Sequence, residues 1–180
     1  MIYFKYYFLC FIFLVVSTKS NATENQLAEY AQYVQEITRS FAKEMEAEYG
    51  LKCIEKGGGM PYDVELIDLA FITYKKGNIE EVRELEIRAT EKLLQIINTH
   101  EKIRPFLREY PFKANRAEVS IAFRKPDNSC YSDGSVVHVF QVKNKIYYRA
   151  EDPKSHNRYS LAEEFYDDAK AKITAKSKNL

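Results

Sequence analysis

Residues 62–74, YDVELIDLAFITY, restrict the fold of this chain more than any other stretch. Successive side chains of a strand point to opposite faces of its sheet. Both alternating sets are apolar here: Val64, Leu66, Ala70 and Ile72 on one face, and Ile67, Leu69 and Phe71 on the other. A strand of this kind is typical of the interior of a sheet, where it is either covered on both sides or long enough to bend. We therefore expect a chain built around one central strand, with Asp68 interrupting one apolar face.

Amphipathic helices are predicted before and after this strand. Apolar residues recur at spacings of three and four in three segments, residues 24–49, 78–100 and 160–173. Gly50 provides a stop for the first segment, and Asn78 with Glu81 resembles a capping box at the start of the second. Ser160 with Glu163 has the same pattern at the start of the third. A shorter helix is compatible with Pro105 in its first turn.

The C-terminal third of the chain changes to strand periodicity. Val119, Ile121 and Phe123 alternate with more polar residues, which predicts a half-buried strand. Residues 136–142 and 146–150 read as two strands joined by a short turn at Asn144. Segregation of these strands favours an α+β class over a doubly wound sheet. The predicted fold is a single α+β domain: a four-stranded, mostly antiparallel sheet with helices packed mainly on one face.

The first 22 residues have the layout of a secretory signal peptide. A lysine near the start is followed by an apolar run from Tyr6 to Val16 and then by small polar residues. The run is about eleven residues long, whereas a helix needs about 20 to span a bilayer. We expect a periplasmic or secreted protein with no stable membrane span after cleavage. Residues 23–173 would then form the single domain and residues 174–180 a basic flexible tail.

The net charge and the histidines argue against two classes of ligand. The full chain carries a net charge of +1, and loss of Lys5 and Lys19 with the signal peptide leaves it slightly acidic. Such a chain lacks the basic footprint of a nucleic-acid-binding protein. His100, His138 and His156 are scattered without the close spacing that a zinc site needs. We therefore predict no nucleic-acid partner, no metal site and no cofactor.

Two cysteines, Cys53 and Cys130, remain after the signal peptide. In an oxidising compartment an even pair more often forms a disulfide than two free thiols. A Cys53–Cys130 bridge is therefore predicted, on condition that the two lie close enough. A nucleophilic pair of either cysteine with His138 or His156 is permitted, but nothing in the spacing points to it.

The glycine run in KGGGM, residues 56–60, does not fit a phosphate-binding loop. That motif needs a strand before it, a Lys-Ser/Thr pair and a helix after it, whereas these glycines precede the predicted strand of residues 62–74. The expected role is a turn or bulge where a positive φ or a close backbone approach is needed. A mobile recognition loop is the alternative.

Asp68 is unusual because it lies within an apolar strand. Burial raises the pKa of an unpaired carboxyl group, and such groups occur at active sites. The simpler interpretation is an edge position or a buried pair with Arg104 or Arg108.

The segment IRPFLREYPF interleaves two arginines with three aromatic residues: Arg104, Phe106, Arg108, Tyr110 and Phe112. Arginine and aromatic side chains are enriched at binding hot spots. They also cover hydrophobic cores from outside. We take these five residues as the candidate binding surface, with core cover as the alternative.

The segments GGGM, ELIDLAF, ATEKLLQIIN, IRPFLREYPF and VSIAF together resemble a family of uncharacterised exported bacterial proteins. The resemblance covers residues 53–124. It implies bacterial export and carries no activity or site residue.

The sequence favours an exported, non-catalytic protein that binds another protein or an envelope component. The alternative is an exported hydrolase with a small polar cleft built from Asp68, His138 or the cysteines. An inhibitor or chaperone of cystatin-like shape is a third possibility, by analogy of fold alone.

Overall fold

A computed structural model describes residues 29–178 of the 180-residue chain. Helix α1 covers residues 29–49. The further elements are β1 Lys52–Gly59, β2 Leu66–Thr73, α2 Ile79–Thr99, β3 Ala117–Phe123, β4 His138–Val142, β5 Lys145–Glu151, β6 Arg158–Phe165 and α3 Tyr166–Lys178. The predicted signal peptide, residues 1–22, lies outside the described residues.

The strands form one six-stranded sheet in the order β1-β2-β3-β4-β5-β6. Strands β2 and β3 are parallel and are connected through α2, while every other neighbouring pair is antiparallel. The predicted α+β class is confirmed, and the strand within residues 62–74 has a neighbour on each side. The predicted number of four strands is wrong. The sequence predicts a turn or bulge for the glycines of β1 and a helix from Ser160 onward, whereas both segments form strands.

Both extra strands lie at the edges of the sheet, where sequence periodicity is weakest. Strand β1 contains the three glycines, Gly57–Gly59, and is exposed at most positions. Strand β6 occupies residues predicted to open the third helix, which instead begins at Tyr166. Its hydrogen-bonding partner is β5, and a bulge at Tyr148/Arg149 shifts the register between them. Pairing with β5 therefore makes these residues a strand, although their local pattern also suits a helix.

Helices α1, α2 and α3 pack on the same face of the sheet and bury it. The Phe41 ring of α1 meets the Phe71 ring of β2 edge-on at 5.6 Å between centroids. Helix α2 buries Ala89, Leu93 and Ile97, and α3 adds Tyr166 and Ala169 to the same core. Among residues 29–178 there is no helix both long and apolar enough to cross a membrane.

The ends of α1, α2 and α3 agree with local sequence signals to different degrees. Gly50 follows α1 with a φ of 72°, as expected for a glycine that ends a helix. The capping box of Asn78 and Glu81 is present at the start of α2. Helix α3 continues to Lys178, so residues 174–178 of the predicted tail are helical. Lys176 lies 3.5 Å from the Glu84 carboxylate of α2.

Glu86 of α2 is a carboxyl group in the core. It is 0% exposed, and neither of its oxygens has a hydrogen-bond partner among the described residues. Burial raises its pKa well above the ordinary 4.5. The neutral acid is therefore the favoured form in the folded protein, and ionisation on unfolding weakens stability as the pH rises.

Between pH 5 and pH 8, we expect the free energy of unfolding to fall less steeply for Glu86→Gln than for wild type. Folded wild-type protein retains a proton on Glu86 that the unfolded chain releases above its ordinary pKa of 4.5, so the free energy of unfolding falls as pH rises. Glutamine carries no such proton, and the stability of the variant relative to wild type should increase by about 1 kcal/mol or more over this range. Urea unfolding at four pH values measures the difference.

The control for this measurement is Glu101→Gln, which changes an exposed glutamate just after α2. The change in slope should be larger for the buried position 86 than for this exposed one. A Glu86→Gln variant that keeps the wild-type slope would show that Glu86 is ionised in the folded protein.

Candidate functional site

The face of the sheet opposite the helices is half-exposed throughout its central strands. In β2, β3 and β5, buried residues alternate with partly exposed ones. The register aligns the partly exposed positions of neighbouring strands, as in the row Ile72, Ala122, His138 and Arg149. We call this surface the open face.

Three rings form a continuous row on the open face, and we call them the aromatic row: His138, Phe140 and Tyr147. The His138 and Phe140 rings are stacked with centroids 5.0 Å apart. Phe140 lies opposite Tyr147 across the β4–β5 hairpin, and their rings stack at 5.2 Å with an interplanar angle of 15°. Cross-strand aromatic pairs of this kind stabilise a sheet and hold the rings in place.

The aromatic row continues into exposed apolar side chains at one end. Val142 of β4 is 43% exposed and Phe165 of β6 is 57% exposed. Lys145 lies opposite both residues in the ladders and holds its Nζ 5.5 Å from the Tyr147 ring centroid. The same Nζ pairs with Glu163 Oε1 at 2.7 Å, so this end of the open face is an apolar patch bordered by an ion pair.

The other end of the row is positively charged, and we call it the basic end: Arg124, Arg149 and Arg158 around His138. The Arg149 guanidinium carbon lies 5.9 Å from the Phe140 ring centroid and 5.8 Å from that of Tyr147. Arg124 Nη1 donates to the carbonyls of Phe123 and Val137 at 2.9 and 3.0 Å. Burial, and then the charges of Arg158, Arg124 and Arg149, lower the pKa of His138 to about 4.

A thiol, a carboxylate and an imidazole meet beside the basic end. The thiol of Cys130 is hydrogen-bonded to the Glu151 carboxylate, and His156 Nδ1 lies 3.1 Å from Glu151 Oε1. Ser132 donates to the same oxygen at 3.1 Å. These hydrogen bonds from Cys130 and His156, with a smaller contribution from Ser132, lower the pKa of Glu151.

The order of these three groups is unsuited to nucleophilic catalysis. A catalytic thiol is activated by a base within hydrogen-bond reach, whereas Glu151 here lies between Cys130 and His156. Burial, followed by the hydrogen bond to Glu151, raises the pKa of the Cys130 thiol. The thiol form is therefore favoured, and the thiolate would be the nucleophile.

Asp68 and His138, the other residues of the predicted hydrolase cleft, are on the open face but far apart. His138 lies opposite Ala122, which lies opposite Ile72. Asp68 precedes Ile72 by four residues along β2, and Ile72 is two strand spacings from His138. Together these two offsets separate Asp68 from His138 by roughly 16 Å. Burial, and then the charge of Glu55, raises the pKa of Asp68. Neither Arg104 nor Arg108 forms an ion pair with Asp68 among the described residues.

The predicted Arg/aromatic segment divides into core cover and exposed residues. Phe112 is buried, and the Asn98 side chain binds both its N–H and its carbonyl, at 2.7 and 3.0 Å. Phe106 is half-buried, with its ring centroid 5.8 Å from that of Tyr30. Arg108 Nε donates to Asp63 Oδ2 at 2.6 Å. These three residues stabilise the domain.

Arg104, Arg108 and Tyr110 are the exposed members of that segment, and Arg108 is already paired with Asp63. Arg104 and Tyr110 contact each other. The guanidinium carbon of Arg104 lies 4.5 Å from the Tyr110 ring centroid, and Tyr110 is 52% exposed. They form a small second surface, separate from the open face.

Cys53 and Cys130 are both free thiols, so the predicted disulfide is not formed in this structure. Cys53 lies on β1 opposite Phe71, whose side chain is in the helix-covered core. Cys130 is hydrogen-bonded to Glu151 of β5, four strands from β1 in the sheet. Four strand spacings amount to about 19 Å, far beyond the Cα separation of a disulfide.

Within residues 29–178, no group of three or more His, Cys, Asp or Glu side chains is arranged to hold a metal ion. The side chains of the open face offer stacking, hydrogen bonding and charge pairing. Phe140, Tyr147 and Arg149 are not among the predicted site residues, and His138 is named only for the hydrolase alternative. The short turn at Asn144 would have indicated them, since it pairs Phe140 with Tyr147 and His138 with Arg149.

Comparisons with protein-family models, with curated proteins and with solved structures find no match for this chain. The resemblance to exported bacterial proteins stays a prediction.

Proposed function

We propose that this protein is exported and binds a protein or envelope partner, without catalysis, on the open face of its sheet. The observation that carries the proposal is the aromatic row, which lies on a sheet face that no described helix covers. Large aromatic side chains and arginine provide much of the binding energy at protein interfaces. The row includes two such rings, Phe140 and Tyr147, with Arg149 beside both.

The sheet also favours binding because it orders these side chains before a partner arrives. Each ring of the Phe140–Tyr147 pair is held by stacking across a hairpin, and Arg149 lies near both rings. Side chains that are already ordered lose less conformational entropy when a partner binds. Val142 and Phe165 extend the contact area with exposed apolar surface.

Export supports the same proposal, since it places the open face among envelope or secreted components. The signal peptide predicted for residues 1–22 is its basis. The second surface, Arg104 with Tyr110, is the other region where a partner would find an exposed aromatic ring beside a guanidinium.

A hydrolase remains the weaker alternative. Its support is the meeting of Cys130 and His156 at Glu151. It requires the imidazole to leave Glu151 and approach the Cys130 sulfur. A structure with bound ligand in which His156 stays on Glu151 would count against it.

A photo-crosslinking residue at position 165 tests the proposed binding face. Benzoylphenylalanine in place of Phe165 should give a defined partner adduct in producing cells, because this side chain is 57% exposed beside the aromatic row. The matched control replaces Tyr159, which is 42% exposed on the same strand. Tyr159 lies opposite the buried Ala150, so it points to the helix side of the sheet.

An adduct formed at position 165 and absent at position 159 supports the open face. Equal adducts from both positions, or none from position 165, would contradict it. An adduct formed only when the crosslinker replaces Tyr110 would move the binding surface to the segment between Arg104 and Phe112.

A further inference from the structure

We propose that the basic end of the open face binds an oxyanion group, a phosphate or sulfate carried by the partner and not by a bilayer surface. The site is formed by the guanidinium groups of Arg124, Arg149 and Arg158 beside His138. This inference deepens the proposed function, on which it rests, by naming the chemical group that the open face recognises.

The strand register brings the members of this site to one place. His138 lies opposite Arg149 across the β4–β5 hairpin. Glu151 is two residues after Arg149 on β5, so its side chain is on the same side of the sheet. Arg158 of β6 lies opposite Glu151 and is therefore also on that side. Arg124 directly follows the last residue of β3 and is tied to the carbonyl of Val137, the neighbour of His138. All four side chains therefore converge on the end of the open face.

The arginines of the basic end differ from most others in the described part of the chain. Arg83, Arg88, Arg108 and Arg116 each have a carboxylate oxygen within 2.8 Å. Among the described residues, Arg124, Arg149 and Arg158 have no carboxylate within 4.0 Å. Three half-exposed or exposed guanidinium groups without a carboxylate leave a local excess of positive charge that an anion would neutralise.

Glu151 is the carboxylate nearest to the basic end by register, and it is already engaged. Its Oε1 accepts from Ser132 and lies 3.1 Å from His156 Nδ1, and the carboxylate is also hydrogen-bonded to Cys130. Glu151 therefore fixes the loop that carries Cys130 and the turn that carries His156. It makes no ion pair with Arg158, although the two residues lie opposite each other in the ladder.

The chemistry of the three guanidinium groups favours an oxyanion with several acceptor oxygens. Each guanidinium has five N–H donors in a planar fork that matches phosphate geometry. Arg124 directs one nitrogen, Nη1, to backbone carbonyls, which leaves its other nitrogens available. Stacking on Phe140 and Tyr147 restrains Arg149 without using its hydrogen-bond donors. A tetrahedral oxyanion has acceptor oxygens enough for all three guanidinium groups.

His138 provides a readout within the site itself. The charges of Arg158, Arg124 and Arg149 contribute to lowering its pKa to about 4. An anion bound among the guanidinium groups would offset those charges and favour the imidazolium form. By linkage, protonation of His138 would strengthen anion binding in turn.

The experiment is an NMR titration of the imidazole Cε1–H signals between pH 3.5 and pH 7.5. It compares sodium sulfate and inorganic phosphate with sodium chloride at the same ionic strength. We expect the His138 midpoint to rise by about half a pH unit in sulfate, as for one charge a few ångström away in a partly solvated site. The rise should saturate with sulfate concentration, and the His100 midpoint should not move, because His100 lies beside Glu36 and outside the basic end.

Matched variants locate the effect. Arg158→Gln and Arg149→Gln should each raise the His138 midpoint in chloride, because each removes a positive charge that repels the imidazolium. Each should also weaken the sulfate response at least about threefold, which corresponds to the loss of one charge-assisted contact. Arg39→Gln, which changes an exposed arginine of α1, should leave both quantities unchanged.

The outcomes separate this inference from the function on which it rests. A saturable His138 response that depends on Arg149 and Arg158 supports the oxyanion site. Equal movement of His100 and His138, or no difference between sulfate and chloride, overturns it, even if the crosslink at position 165 forms. Binding to phosphatidylglycerol vesicles without any response to sulfate or phosphate also overturns it and assigns the basic end to a membrane surface. A sulfate response without a crosslink would instead contradict the macromolecular partner.

Discussion

Replacing Arg83 with methionine is expected to lower the free energy of unfolding by about 3 kcal/mol. Arg83 of α2 and Glu164 of β6 form an ion pair of 2.6 Å in which the side chains are 8% and 10% exposed. The pair ties α2 to the edge strand that the sequence did not indicate. Removing the guanidinium leaves the Glu164 carboxylate in a poorly solvated position, which costs more than the pair contributes when it is intact.

The remaining partners of Glu164 set the expected cost at the lower end of the range for broken buried pairs. Tyr148 donates to Glu164 Oε1 at 2.8 Å and Lys172 donates to Oε2 at 2.6 Å. Burial raises the pKa of Glu164, but the hydrogen bonds from Lys172, Arg83 and Tyr148 outweigh it and hold the pKa below its ordinary value. Arg83→Met removes one of these hydrogen bonds and its charge, so the pKa of Glu164 should be higher in the variant than in wild type.

Two further variants make this prediction specific. The double variant Arg83→Met/Glu164→Leu should recover much of the loss, because no unpaired charge remains in the core. The control Arg88→Met breaks an ion pair on the same helix whose arginine side chain is 50% exposed, and it should cost less than about 1 kcal/mol. Urea unfolding measures all three. Equal losses for Arg83→Met and Arg88→Met would show that the buried pair has no special role.

The second large effect is expected from Gly58→Ala, at about 2–3 kcal/mol of destabilisation. A Cβ atom at position 58 would overlap the backbone carbonyl oxygen of Leu66 on β2. Backbone of a paired strand cannot rotate aside as a side chain can, so β1 would have to move away from β2. The glycine is thus required by close approach of two backbones, and no positive φ is involved, since Gly50 and Gly134 are the described glycines with one.

The neighbouring glycines provide graded controls for this clash. A Cβ at Gly59 has its nearest neighbour, the Leu66 Cβ, at 3.6 Å, so Gly59→Ala should change stability by less than about 0.5 kcal/mol. A Cβ at Gly57 would lie 2.6 Å from the Asp68 carboxylate oxygens. That carboxylate can rotate, so Gly57→Ala should cost less than Gly58→Ala, and Asp68→Ala should relieve it. A Gly58→Ala variant as stable as Gly59→Ala would contradict the packing of β1 against β2.

The candidate site was predictable in part. The hairpin turn at Asn144 follows from local pattern, and pairing across it places Phe140 against Tyr147. The convergence of Arg124 and Arg158 on His138 was not predictable. Arg124 follows β3, His138 is on β4 and Arg158 is on β6, and the order and register of these strands depend on the whole sheet. The segment with Arg104 and Tyr110 was chosen on composition, which cannot tell a ring that covers the core from one that faces solvent. Phe106 and Phe112 cover the core, whereas Arg104 and Tyr110 face solvent.

The sequence by itself determined what depends on neighbours along the chain: the stop at Gly50, the capping box at Asn78, the apolar alternation of β2 and the hairpin of β4 and β5. Hydrogen bonds and side-chain contacts within a few residues decide these features, so their pattern is visible in one segment. Only the tertiary structure decided that β1 and β6 are strands and that the cysteines lie apart. Each of these depends on a distant partner strand, because an edge strand needs few buried residues of its own and takes its conformation from the ladder beside it.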